Sequence, residues 1–163
     1  MKKQCTSCRL TNYLLLFFTI LGLDRLTKFW AISELQTKNI KVCSFLDLSL
    51  GLNRGMVFGL FSFQRPFYFY LITSFVILVL IFFLVYVYAE FKSGKSLIAH
   101  IMLLAGAVSN IIDRFIWGGV VDFVDFHVGS WHWYTFNIAD VFIVVGIFYI
   151  AWREIFHGNN KLL

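Results

Sequence analysis

The amino-acid sequence predicts an all-α membrane protein with four transmembrane helices and a small extracytoplasmic β-sheet in the first outer loop. Of its 163 residues, 60% are hydrophobic and only 14% are charged, whereas about a quarter of the residues of a soluble domain are charged. Four apolar segments approach the roughly 20 residues that cross a bilayer as a helix. A segment of alternating leucines lies between the first two. The length suits a single integral membrane domain over residues 1–163.

The first apolar segment, residues 10–32, is predicted to be a helix although Asp24, Arg25 and Lys28 lie within it. The basic residues before it also fit the n-region of a cleavable signal peptide, with residues 14–23 as its h-region. Only the sequence WAIS resembles a cleavage site, and charges interrupt the approach to it. An uncleaved membrane anchor is therefore the favoured interpretation.

The first loop contains the stretch FLDLSLGLN, in which leucine alternates with polar or small residues. A period of two predicts a half-buried strand. We expect this strand to lie on the outer face of the membrane, within a strand and loop region over residues 40–64. The small sheet would then bring Asn53 to the rim of a site.

Three further helices are predicted over residues 67–91, 96–117 and 137–156. The first of these is uncharged over most of its length and follows the single proline of the chain. The next reaches its full length only if Asp113 and Arg114 are tolerated within it. The last begins a long apolar run that continues almost to the end of the chain.

Basic residues are distributed unevenly among the loops. They flank both termini and occur in the second loop, whereas the third loop, residues 118–136, has none. The first loop has Lys38, Lys41, Arg54 and Arg65, spread over a longer stretch. Lys and Arg collect on the cytoplasmic side of a membrane. Both termini are therefore predicted to be cytoplasmic, and the first and third loops to lie on the outer side.

On this topology, polar residues from three helices lie at one depth near the outer face of the membrane. Asp24 is in the outer half of the first helix. The outer ends of the third and fourth helices carry the others: Asn110, Asp113, Arg114, Asn137 and Asp140. Ionisable groups inside a membrane are costly and usually face a bundle interior or water. Their convergence predicts a functional site.

Structural roles compete with this interpretation. Asn137 and Asp140 fit the N-cap and the first turn of the fourth helix. The polar residues of the third helix lie three and four positions apart, which fits an interhelical clamp. Nothing near Asp122 in the sequence suggests a helix-capping role or a charged partner. Asp125, three positions later, is equally eligible by composition, and its structural interpretation is a solvated loop acid.

Two features faintly suggest a metal site. The stretch HVGSWH places His127 and His132 near aspartates, but it has no established ligand spacing. The tryptophan and tyrosine residues beside them fit an interfacial aromatic belt instead. Cys5 and Cys8 together supply only two of the four ligands of a zinc site. We therefore predict no metal and no cofactor.

Two carboxyl groups at one membrane depth suggest aspartic peptidase chemistry. Two carboxyl groups that share one proton have separated pKa values, so one can activate water as a base while the other serves as an acid. Asp122 and Asp140, with 17 residues between them, fit such a pair. Composition and spacing leave the choice between Asp122 and Asp125 open.

Five motifs, in order along the chain, resemble those of lipoprotein signal peptidase, the bacterial signal peptidase II family. They are DRLTK at 24–28, NRGMVFGLF from 53, GAVSNIIDR at 106–114, VVDF at 120–123 and FNIAD at 136–140. The resemblance implies that Asp122 and Asp140 are the catalytic dyad. It also implies a set that lines or stabilises the substrate site: Asn53, Asn110, Arg114, Asn137, Asp24 and Asp113. Arg25 stands where the family usually has Gln, and Met56-Val57 replaces a commoner small pair.

The resemblance further implies an aspartic endopeptidase of the bacterial inner membrane. Substrates of the family are prolipoproteins that carry diacylglycerol on a lipobox cysteine, and cleavage on the N-terminal side of that cysteine removes the signal peptide. The expected partners are lipidated prolipoproteins and membrane lipid, without nucleic acid, and the enzyme is expected to act as a monomer. A site at the outer face would meet the scissile bond of a membrane-tethered substrate.

A proton-coupled transporter and a non-catalytic scaffold are the alternative functions. A proton relay would distribute acidic residues across the membrane, but the inner halves of the first and fourth helices are apolar. A scaffold would have no need for a carboxyl pair. The peptidase is therefore the favoured function.

Overall fold

The computed structural model describes residues 6–55 and 66–157, which form a four-helix bundle and a small antiparallel sheet. The helices are α1 (Thr6–Glu34), α2 (Pro66–Lys92), α3 (Ile98–Trp117) and α4 (Ile138–His157). α3 packs against the other three helices, and α1 also contacts α4. The predicted helical architecture with a small sheet is confirmed, although α1 begins before residue 10.

All four helices expose large apolar side chains on the outside of the bundle. Examples are Phe18 on α1, Phe82 on α2, Phe115 on α3 and Phe148 on α4. Within the described part of the chain, α2 and α3 are long and apolar enough to cross a membrane. A surface this apolar suits lipid, since soluble monomers keep such patches small.

The sheet contains four antiparallel strands in chain order. They are β1 (Ile40–Cys43), β2 (Leu46–Asn53), β3 (Val120–Val128) and β4 (Trp131–His132). β2 is the strand that the alternating leucines predict. β3 lies in the segment that the sequence treats as a loop, residues 118–136. Its valines and phenylalanines suit a strand, but its partner β2 is far away in the sequence.

The strand β2 is half-buried, as the period of two predicts, but its burial does not alternate from residue to residue. Residues 46–51 are all half-buried, and Leu52 is exposed. The end of α1 and Phe123 cover the side on which the inner leucines lie. On the other side, His127 Nε2 lies 3.5 Å from Asp47 Oδ2. Both sides of β2 are therefore partly covered, which removes the contrast between them.

α3 and α4 approach each other closely at two glycines. A Cβ atom on Gly106 would lie 2.6 Å from the carbonyl oxygen of Ala139, and one on Gly146 would lie 2.8 Å from the carbonyl oxygen of Ala99. Both separations are shorter than van der Waals contact, so only glycine allows the two helix backbones to approach this closely. The contact at Ala139 holds the start of α4 against α3, directly before Asp140.

Gly106→Ala is expected to lower the free energy of unfolding by about 1–3 kcal/mol, because the added methyl group forces the two helix backbones apart. Gly22→Ala on α1 is the matched control. A Cβ atom there meets no atom within 4 Å, and alanine favours a helix over glycine by up to ~1 kcal/mol. Denaturant unfolding of both variants in the same detergent checks the difference. Equal unfolding free energies for the two variants would contradict the close contact.

Candidate active site

Asp122 and Asp140 reach one cavity from different elements. α3 ends at Trp117, and the left-handed conformation of the next residue, Gly118 (φ 66°), turns the chain into β3, where Asp122 lies. Asp140 lies in the first turn of α4. Asp122 is only 1% exposed, and both side chains line a cavity of about 440 Å³. The structure therefore brings these two carboxyl groups to the same space.

Asn137 binds both carboxyl groups. Its side-chain amide donates to Asp122 Oδ1 at 2.6 Å, and its backbone N–H donates to Asp140 Oδ2 at 3.2 Å. The backbone N–H of Asp140 in turn donates to Asn137 Oδ1 at 3.0 Å. This reciprocal pair is a capping box at the start of α4, so the N-cap suggested by the sequence is present. Asn137 therefore caps α4 and binds the two carboxyl groups at the same time.

Asn110 links Asp140 to a buried cation. Its amide nitrogen donates to Asp140 Oδ1 at 2.8 Å, while its Oδ1 accepts from Lys28 Nζ at 2.8 Å. The side-chain amide of Asn137 also donates to Asn110 Oδ1, at 3.2 Å. Asn110 and Asn137 together therefore fix the orientation of both carboxyl groups.

Asp24 and Asp113 form a buried ion-pair network beside the cavity. Both are fully buried, and Lys28 Nζ lies 2.8 Å from Asp24 Oδ2 and 2.7 Å from Asp113 Oδ2. Arg25 adds contacts of 3.3 Å to Asp24 and 2.7 Å to Asp113. The sequence-based site omits Lys28 and Arg25. The signal for Lys28 was its position four residues after Asp24, on the same helix face.

Arg114 holds α3 to α2 and to the segment after β2. Its guanidinium group donates to the carbonyl oxygen of Gly55 and, at 3.4 Å, to Thr73 Oγ1, and it lies over the Phe69 ring. Arg114 also lines the cavity. The interhelical clamp suggested by the sequence is therefore present at this residue. The departure from the family pattern at Met56-Val57 lies outside the described residues.

Asp125 and the two histidines lie away from the cavity. Asp125 pairs with His132 at 2.9 Å, and the His132 ring stacks on His127 with ring centroids 4.9 Å apart. Within residues 6–55 and 66–157, no group of three His, Cys, Asp or Glu side chains is arranged to hold a metal ion. Cys8 is an exposed free thiol, and Cys5 falls outside these residues. Asp125 is thus engaged on the sheet, apart from Asp140.

The cavity has a polar end and an apolar wall. Asn53, Asn110 and Arg114 lie at the polar end with the two aspartates. The wall is formed by aliphatic side chains of α2, α3 and α4: Val76, Ala107, Ile111, Val141, Val144 and Val145. A few convergent polar groups beside an apolar surface are typical of a binding site. This cavity suits a substrate that joins a polar reacting group to a large apolar one.

The surroundings of Asp122 favour its protonated form. Burial, reinforced by the negative charge of Asp140, raises the pKa of Asp122 to about 7. Hydrogen bonds from Asn53 and Asn137 and the nearby charge of Lys28 oppose that rise. Because its pKa is close to neutral, Asp122 can hold or release a proton, which is the property that an acid–base catalyst needs.

Comparison with known proteins gives similarity over nearly the whole chain. A family model described as signal peptidase (SPase) II matches residues 16–156. The lipoprotein signal peptidase of Thermodesulfovibrio yellowstonii is 40% identical over 139 residues, which are 85% of this chain and 90% of that relative. The lipoprotein signal peptidase of Polynucleobacter necessarius subsp. necessarius is 36% identical over 161 residues, 95% of this chain and 96% of that relative.

Two solved structures share the fold. A bacterial membrane enzyme solved by the in meso method at 1.9 Å resolution has a TM-score of 0.67 and 25% identity, and the match covers 86% of this chain and 90% of that one. Another, solved by the same method at 2.3 Å resolution, has a TM-score of 0.70 and 24% identity over 94% of each chain. The arrangement of helices and sheet therefore occurs in known membrane enzymes.

Proposed function

The chain belongs to the signal peptidase II family, and from this premise we propose that Asp122 and Asp140 are its catalytic dyad. The protein is a peptidase that removes signal peptides from prolipoproteins, and the transporter and scaffold alternatives are not favoured by its relatives. One observation supports the assignment of the dyad: Asn137 binds both carboxyl groups, and both carboxyl groups line one cavity. The test is cleavage of a diacylglyceryl-modified prolipoprotein peptide by folded Asp122→Asn and Asp140→Asn variants.

In the proposed reaction the two carboxyl groups share one proton. Asp122, whose pKa is about 7, holds that proton at rest, and Asp140 is ionised with donors from Asn110 and Asn137 around it. Asp140 takes a proton from water as the water oxygen attacks the scissile carbonyl carbon, while Asp122 protonates the carbonyl oxygen. Collapse of the tetrahedral intermediate breaks the C–N bond, and one of its two hydroxyl groups returns a proton to Asp122 as the product carboxyl group forms. Asp140 then returns its proton to the leaving amine of the lipidated cysteine.

We further propose that all four helices span the bacterial inner membrane, with both termini in the cytoplasm and the dyad near the outer face. Apolar side chains cover the outside of every helix. Basic side chains gather at the opposite end of the bundle from the dyad, where Arg9 donates to the carbonyl oxygen of Lys95 and Arg153 to that of Ser96. Such a concentration of positive charge is typical of the cytoplasmic side.

The proposed partners are lipidated prolipoproteins and membrane lipid, and the proposed functional unit is one chain. Cleavage on the N-terminal side of the lipidated cysteine places acyl chains close to the scissile bond. The apolar wall of the cavity, which includes Ile111 and Val144, begins beside the dyad and fits that requirement. Asn110 and Asn137 of the same chain orient both carboxyls, so the proposed dyad needs no residue from a second copy.

The value of kcat/KM for cleavage is expected to fall as the pH rises through about 7. Asp122 is protonated below its pKa of about 7 and loses its proton above it, and a dyad without a proton has no acid for the carbonyl oxygen. The midpoint belongs to the coupled pair rather than to either residue alone. Initial rates from about pH 5 to about pH 9 give the profile.

Asp125→Asn is the control for the pH profile. Asp125 lies on the sheet against His132, apart from the cavity, so its variant should keep the wild-type midpoint. A wild-type value of kcat/KM that continues to increase to about pH 9 would rule out a shared proton with a midpoint near neutral pH.

A further inference from the structure

Two buried carboxylates each hold the backbone directly before one of the proposed catalytic aspartates. Asp24 Oδ1 accepts a hydrogen bond from the backbone N–H of Ala139 at 2.8 Å. Asp113 Oδ2 accepts one from the backbone N–H of Val121 at 3.1 Å. The start of α4 and the start of β3 are thus fixed by different carboxylates, which lie on α1 and α3. The separation of the dyad depends on how these two carboxylates are held relative to each other.

Two cations from α1 bridge the two carboxylates. Lys28 Nζ lies within 2.8 Å of both, and the Arg25 guanidinium contacts Asp113 Oδ1 through Nη1 at 2.7 Å and Asp24 Oδ2 through Nη2 at 3.3 Å. Two buried carboxylates with Lys28 alone would leave one negative charge uncompensated, which is costly in a buried site. Arg25 balances that charge and provides the second cross-link.

We propose that Arg25 is a positioning residue for the peptidase reaction, because it completes the bridge between the two backbone segments that carry the catalytic aspartates. The inference rests on the proposed dyad. Arg25 does not itself line the cavity, so it acts through Asp24 and Asp113 rather than on the substrate. Lys28 is also needed elsewhere, since it donates to Asn110 Oδ1 at 2.8 Å.

The guanidinium group suits this task for a geometric reason. A planar fork can contact two carboxylates at once, whereas an ammonium group is a compact point charge. The Arg25 side chain is 27% exposed, so glutamine in its place leaves no closed cavity, although it removes the charge that balances the second carboxylate. The main consequence of Arg25→Gln is therefore a looser link between Asp24 and Asp113, with the helices still in place.

The experiment compares Arg25→Gln, Arg25→Lys and Arg9→Gln with the wild type, using a diacylglyceryl-modified prolipoprotein peptide. Arg9→Gln removes a cation from the same helix at the far end of the bundle, where Arg9 binds the Lys95 carbonyl. Arg25→Gln is expected to lower kcat by about tenfold with KM unchanged, because a small displacement of reacting groups is enough for such a loss. Arg25→Lys should recover part of that loss, and Arg9→Gln should match the wild type.

Amide resonances give an independent readout. In Arg25→Gln the ¹H–¹⁵N signals of Val121 and Ala139 should move upfield, because their hydrogen bonds to the two carboxylates weaken. In Arg9→Gln these two signals should stay in place. A purely stabilising residue would change the unfolding temperature but leave kcat per folded molecule and both signals unchanged.

Three outcomes would overturn the inference: a wild-type kcat in folded Arg25→Gln, unmoved Val121 and Ala139 signals, or a rise in KM with kcat unchanged. The Asp122→Asn and Asp140→Asn variants in the same assay separate this inference from the proposed function. If either of those variants still cuts, the dyad itself is wrong. If both are inactive while Arg25→Gln is normal, only the role of Arg25 is wrong.

Discussion

Asp122→Asn and Asp140→Asn are each expected to lower kcat/KM for a diacylglyceryl-modified prolipoprotein by at least about 10³-fold. Asparagine has nearly the shape of aspartate but can neither take up nor release the proton, so both the base and the acid function are lost. Peptide cleavage followed by mass spectrometry gives the rates and the bond that is cut. Asp125→Asn, the matched control three positions along the same strand, should stay within about twofold of the wild type, because surface changes away from a site have small effects.

The stability of the Asp122→Asn variant relative to the wild type has a predictable pH dependence. The raised pKa of about 7 for Asp122 means that the native state keeps a proton that the unfolded chain has released, between about pH 4 and about pH 7. The wild type therefore loses stability as the pH rises through that range, whereas the asparagine variant does not. An inactive Asp122→Asn protein that unfolds no earlier than the wild type at about pH 8 would assign the lost activity to chemistry. Retained cleavage in either folded variant would refute the dyad.

Lys28→Met is expected to lower the free energy of unfolding by about 3–5 kcal/mol, the usual cost of removing one partner from a buried ion pair. Lys28 is 2% exposed, and its loss leaves Asp24 and Asp113 with less compensation for their charge. Denaturant unfolding in one detergent provides the measurement.

An exposed ion pair at the end of α1 offers a control for Lys28. Lys38 lies four residues after Glu34, as Lys28 does after Asp24, but the side chains of that pair are 57% and 48% exposed. Lys38→Met should therefore change the free energy of unfolding by no more than ~1 kcal/mol. Similar losses in the two variants would show that burial of the Lys28 pair contributes little.

Local periodicity accounts for the elements that the sequence predicts correctly. The four apolar segments become α1 to α4, and the alternating leucines become β2. β3 is different, because its pairing partner β2 lies about 70 residues earlier in the chain. A strand that depends on such a distant partner leaves little local signal, so residues 118–136 looked like a loop.

The choice between Asp122 and Asp125 also depends on the fold rather than on the local sequence. The two aspartates are three residues apart on one strand, and successive side chains on a strand point to opposite faces. Their pairing partners differ accordingly, since Asp122 lies opposite Gly51 and Asp125 opposite Asp47. Composition does not contain this information, and the family motif was needed to favour Asp122.

The residue pattern also does not show which opposite charges Arg25 and Lys28 contact, for an electrostatic reason. Charged residues inside an apolar helix indicate a polar interior, but they do not say which opposite charges they meet. Lys28 meets one partner on its own helix and another, Asp113, on α3. The second contact depends on how α1 and α3 pack, which only the folded chain determines.

The double use of Asn137 has a consequence for inhibitor resistance. One side chain caps α4 and also binds Asp122, so a mutation that altered this end of the cavity would harm folding and catalysis together. An inhibitor that engages Asn137 and the proposed dyad would therefore leave a bacterium few escape mutations. Contacts with Val144 or Ile111 on the apolar wall are easier to lose, because exchange among aliphatic residues of similar size costs little stability.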